Sequence, residues 1–101
     1  MLSLRLTYLK VKPTKLVELR ERWNDQILPE IRAAPGHHSS HFMENMNDTT
    51  TAIGWIVWDE PEIAEAYEKG HVYQGHIDRV RDLLAAEPYI RHYHFLKQAA
   101  S

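Results

Sequence analysis

Between residues 2 and 11 the chain alternates. Leu2, Leu4, Leu6 and Tyr8 share one parity, and Ser3, Arg5, Thr7, Leu9 and Val11 share the other. A period of two marks a strand, here one with a clearly apolar face. Pro13 ends it. The period then changes: Leu16, Leu19, Trp23, Ile27 and Ile31 recur at spacings of three and four, one stripe of a long helix. Thr14 is placed to cap that helix, with Val17 and Glu18 in its first turns. Pro29 falls inside the stripe, removes one backbone hydrogen bond and predicts a kink near Asp25. Ala34-Pro35-Gly36 stops the helix.

Residues 38–46 predict a weaker, more polar strand, and Asn47-Asp48-Thr49-Thr50 supplies turn chemistry. Residues 51–58, TAIGWIVW, are apolar on both parities, as expected of a strand central in its sheet and buried on both faces. These two strands predict a hairpin. Asp59 is placed to cap a second helix, with Pro61 in its first turn and Glu62 three residues after the cap. Gly70 breaks or bends it. A third helical pattern covers about 71–86, with Val72 or Tyr73, Ile77, Val80 and Leu84 inward, and Glu87-Pro88 ends it. Residues 89–96 predict a last strand, and Gln98-Ala99-Ala100-Ser101 a loose tail.

The order is strand, helix, strand, strand, helix pair, strand. This βαββαβ order predicts a ferredoxin-like α+β sandwich, a four-stranded antiparallel sheet with helices on one face. Residues 1–97 form one domain, followed by the tail 98–101; there is no internal repeat or low-complexity linker. Helices cover one face only, yet both parities of 51–58 are apolar. A bare second face would expose a large apolar patch. The pattern therefore predicts a homodimer packed sheet to sheet.

Composition narrows the classes without choosing a function. Apolar residues make up 44% of the 101, charged residues 26%, and the formal charge is −2. That is an ordinary globular balance with no electrostatic footprint for nucleic acid. Lys10, Lys12 and Lys15 read as a solvated strand end. Without cysteine there is no disulfide, thiol catalysis or thiolate metal site. No segment approaches the ~18 apolar residues that a membrane span needs. The alternating N-terminus is not a signal-peptide pattern. The cytoplasm is the expected compartment.

Candidate chemistry gathers in residues 55–76, WIVWDEPEIAEAYEKGHVYQGH. The indole N–H of Trp58 can donate to a substrate oxygen, and its ring can equally be core. His76 and His71 are suited to acid or base work near neutral pH. They lie five apart, about 140° around a helix, so they do not share a face and are not a zinc-binding pair. Tyr67 and Tyr73 can bond a ligand or complete the core. Arg5 and Thr7 lie on the less apolar parity of the first strand, where Arg5 can hold an anion or pair with a glutamate. Trp23 packs on the sheet or walls a pocket beside the kink. His92 and His94 point to the same side of a strand, but no carboxylate at a matching spacing completes a ligand set, so no metal site is predicted.

The order of elements, the first helix ending in Ala34-Pro35-Gly36, the strand ending in Trp58, the helix directly after it and the segment GHVYQGH together resemble the antibiotic biosynthesis monooxygenase family. That family sits within the dimeric α/β-barrel superfamily, and the resemblance covers about residues 2–96. It implies a ferredoxin-like fold paired into a dimeric α/β barrel. The superfamily includes cofactor-independent oxygenases of phenols and quinols, haem-degrading enzymes and isomerases. In the haem-degrading branch an Asn, a Trp and a His do the work. Those positions fall on Thr7, Tyr67 and Ile77, with His76 one residue early, and all three depart from the pattern. Trp58 matches the Trp common at the end of the third strand. The resemblance thus implies a cofactor-independent monooxygenase acting on a small aromatic or polyketide-like hydroxy compound. His76, His71 and Trp58 would be catalytic, and Tyr67, Tyr73, Thr7, Arg5 and Trp23 would bind substrate. The alternatives are a haem-binding or haem-degrading protein, a non-catalytic dimeric binding module, and an isomerase or lyase.

Overall fold

A computed structural model describes residues 1–95. Residue 96 of the predicted last strand and the predicted tail lie outside the described residues. Strands β1 (Ser3–Lys10), β2 (His37–Glu44), β3 (Thr51–Trp58) and β4 (Tyr89–His94) form one antiparallel sheet in the order β2-β3-β1-β4. β1 and β3 are therefore central, as the doubly apolar pattern of β3 requires. Helices α1 (Leu16–Arg22), α2 (Leu28–Ala33), α3 (Pro61–Lys69) and α4 (His71–Asp78) lie over one face. The predicted ferredoxin-like α+β fold is the observed one. No helix among the described residues is long and apolar enough to cross a membrane.

The parity rule assigns the faces. Leu4, Leu6 and Tyr8 lie opposite Val57, Trp55 and Ile53 on the side away from the helices. Beneath the helices Arg5, Thr7 and Leu9 lie opposite Ile56, Gly54 and Ala52. The leucine-rich parity of β1 is thus the open one, and its polar parity is buried. The core comes mainly from the helices, with Leu19, Trp23, Ile27, Ile31 and Ile77 all buried, and Val80 just beyond α4 joins them. Gly54 makes this packing possible: a Cβ there would sit 2.8 Å from the Trp23 ring.

The distortion expected near Asp25 takes the form of a wide turn, and the helix continues through Pro29. Residues Trp23–Ile27 form a π-helical turn in which the Leu28 N–H donates to the Trp23 carbonyl, and α2 continues beyond it. A wide turn absorbs the hydrogen bond that Pro29 cannot donate, and it brings both Ile27 and Leu28 inward. The expected caps are not formed. Thr14 sits at φ 67 in a turn closed by Lys15 N–H to Lys12 O, and the helix starts at Leu16 without a side-chain cap. The Asp59 amide donates to Gly36 O, and Glu60 precedes α3, its carboxylate taken by the Met1 ammonium at 2.9 Å. The third helix is shorter than its pattern. α4 ends at Asp78, and a 3₁₀ turn at Arg81–Leu83 follows. The extension of β1 captures that segment through Lys12 N–H to Leu83 O and Ala85 N–H to Lys10 O. Ile77, Val80 and Leu84 still face inward, whereas Val72 is exposed.

Candidate functional site

The Trp58 end of β3 is where the candidate groups meet. β3 ends under the helices, so Trp58 is 1% exposed. Pro61 starts α3 after a two-residue turn, and the spacing of Ile63 and Tyr67 aims Tyr67 back at the sheet. The Trp58 and Tyr67 rings lie 5.1 Å apart, and His37 meets the other side of Trp58 edge-on at 6.2 Å. Gly70 takes an extended conformation between α3 and α4, so α4 folds back with Tyr73 and His76 directed inward. Tyr73 packs edge-on against Tyr67 at 5.9 Å.

A hydrogen-bonded chain runs outward from this cluster. His76 is 2% exposed. The Tyr67 hydroxyl is 2.8 Å from His76 Nδ1, His76 Nε2 is 3.2 Å from Glu30 on α2, and Glu30 pairs with Arg79. Arg79 first, and His76 second, hold the Glu30 carboxyl below its ordinary range, so it is ionised and only accepts. His76 Nε2 therefore carries the proton, and Nδ1 accepts from Tyr67. Burial pushes His76 below its ordinary value against the pull of Glu30, so the ring is neutral at pH 7. Burial also drives the Tyr67 hydroxyl well upward and Tyr73 up to about 12. Trp58 is different. Its indole N–H is buried and has no acceptor among the described residues.

The remaining predicted residues separate from this cluster. His71 is exposed at the first position of α4, five residues from His76, and is not brought to the Tyr67 hydroxyl. Trp23 and Thr7 meet around Gly54 as core, with Trp23 also against Phe42 at 5.7 Å. Arg5 pairs instead with Glu68 of α3, at 3.2 Å. Glu30, Arg79 and Glu68 were not predicted. Glu68 carried a signal, since it follows buried Ala64 by one helical turn. Glu30 carried none, because its partner lies 46 residues away. Haem of the degrading kind does not fit these residues. Ile77 is apolar and buried where a His would stand, and both ring nitrogens of His76 are engaged.

The fold recurs in solved structures. A protein of Nitrosomonas europaea named "putative antibiotic biosynthesis monooxygenase" superposes with TM-score 0.77 at 21% identity, over 94% of this chain and 99% of that one. A protein of the same name from Bordetella bronchiseptica gives 0.79 at 14% identity, covering 95% and 98%. One from Deinococcus radiodurans gives 0.78 at 16% identity, covering 98% and 97%. No protein-family model and no curated protein matches the chain. The ferredoxin-like fold of the single chain, which the sequence resemblance implied, is thus the fold of these proteins.

Proposed function

We propose that the chain is a monooxygenase of the antibiotic biosynthesis kind. In this reading it works without a bound cofactor on a small aromatic or polyketide-like hydroxy compound. The observation that carries the reading is the orphaned indole N–H of Trp58, in ring contact with a tyrosine whose own proton is committed to His76. A buried donor without a partner costs about 1–3 kcal/mol. A ligand oxygen would satisfy it. In this reading the oxygen of a hydroxyarene accepts from Trp58, and its own hydrogen goes to the free lone pair of Tyr67 Oη.

Deprotonation then runs through Tyr67. The substrate proton passes to Tyr67 Oη as the Tyr67 proton passes to His76 Nδ1, and ionised Glu30 stabilises the imidazolium. His76 acts through Tyr67, and His71 has no part. The substrate anion can reduce O2 itself. For a substrate CH2 oxidised to a carbonyl, one oxygen atom is kept and the other leaves as water with the two hydrogens, so no further reductant is needed. The names of the structural neighbours support the oxygenase class.

The protein would work as a homodimer. Trp55, Leu6 and Ile53 lie on the sheet face that no helix covers, and a second sheet would bury them.

The test is oxygen uptake by metal-free protein with naphthols, anthrols and quinols, with Trp58→Phe and Tyr67→Phe beside it. Uptake above the uncatalysed rate, lowered at least about tenfold in either variant, is expected. Ligand-induced stabilisation with no uptake would replace the oxygenase with a binding module.

A further inference from the structure

A second constellation adjoins the Trp58 end of the sheet. In the antiparallel register Ser3 lies between Trp58 and His94, and Arg5 between Ile56 and His92. All point to the helix side. There an open cavity of about 350 Å³ is lined by Met1, Ser3, Arg5, Glu65, His92 and His94, with Pro61 and Tyr93 among its apolar walls. The Arg5 side chain is 6% exposed and that of Glu68 12%. Arg5 Nε and Glu68 Oε1 lie 3.2 Å apart, yet neither makes a hydrogen bond among the described residues. His92 Nε2 reaches the other Glu68 oxygen at 3.3 Å.

A buried guanidinium without an aligned partner is costly, because its five donors lose water and gain little. Glu68 faces Arg5 without an aligned hydrogen bond, and burial holds its carboxyl above the ordinary range, despite the pull of Arg5 and His92. An arginine fork is matched by a carboxylate bound bidentately. The charge balance sets the ligand's charge. Of the lining groups, the Met1 ammonium is paired with Glu60 and Glu65 with Lys69, which leaves Arg5 facing Glu68, so one negative charge on the ligand suits the site better than the two of a phosphate ester.

We infer that this cavity binds the carboxylate of a small, partly apolar organic acid, with Arg5 as the anchoring cation and Glu68 as a competing carboxylate. The site stands without the oxygenase reading, since it needs binding and not turnover.

The test is a titration of the full chain, without oxygenase substrate, with sodium benzoate and 1-naphthoate. Benzamide and sodium phosphate serve as controls, and binding is followed by nuclear magnetic resonance of the Ser3, Arg5 and His92 signals. Saturable shifts with the two carboxylates alone are expected. Arg5→Gln should weaken binding at least about tenfold, the value of a charge-assisted contact. Glu68→Gln, which removes the competitor and keeps the shape, should tighten it severalfold. If Arg5→Gln fails to fold, the wild-type titration and Glu68→Gln decide. No saturable shift, equal binding of benzamide or phosphate, or weaker binding in Glu68→Gln would overturn the inference. In each of those cases the oxygen-uptake test still stands on its own.

Discussion

His76 is neutral, enclosed and bonded at both ring nitrogens, and that fixes how it responds to acid. Its folded-state value lies below the ordinary 6.5, so between the two the unfolded chain binds more protons than the folded one. Stability then rises with pH through that window. His76 contributes fully above about 6.5, and the contribution is lost as pH falls toward the lowered value. Urea unfolding between pH 5 and 8 should show falling stability on the acid side, with a shallower slope in His76→Gln. His37 is shifted the same way by burial, so some slope should survive the substitution. An equal slope in the variant would mean that His76 is not the neutral, enclosed group described above. At this scale the sequence was informative about Trp58, Tyr67 and His76, because aromatic and histidine side chains crowd one short segment. It was silent about Glu30, whose role depends on its side chain reaching His76 and Arg79 from another helix.

The elements follow the periodicity of the chain closely, and β3 has the bounds its pattern predicts. What failed were local end signals. Thr14 and Asp59 have the right side chains for caps, but turn closure at Lys15 and the hydrogen bond that the Asp59 N–H donates to the Gly36 carbonyl place their backbones elsewhere. Capping is worth about 1 kcal/mol, so tertiary contacts override it. The π turn is the same lesson within a helix: the sequence showed the proline, and the packing of Ile27 and Leu28 chose the distortion. Helix and sheet meet most closely at Gly54. Gly54→Ala would drive a methyl into the buried Trp23 ring, which has Phe42 at its side. The expected loss is about 1–3 kcal/mol in urea unfolding, as for other overpacked cores. An unchanged midpoint would mean that Trp23 can retreat.

Across the whole molecule the sheet has two apolar sides with different owners. One is covered by this chain's helices. The other carries Leu6, Trp55, Ile53 and a Tyr8–Tyr89 stack, with ring centroids 5.1 Å apart. If a second copy covers it, Trp55→Lys should raise the dimer dissociation constant at least about tenfold in sedimentation velocity, the effect expected at the centre of an interface. A variant that sediments as the wild type does would rule out that placement of Trp55. The reversed parity of β1 has a consequence of its own. The residues that make the chain fold and those that would make it self-associate stand on opposite sides of one backbone layer. They can be altered separately. Polar substitutions at Leu4, Leu6 and Trp55 should yield a soluble single chain with its interior intact. Within that single chain the chemistry at Trp58 and at Arg5 can be studied apart from assembly.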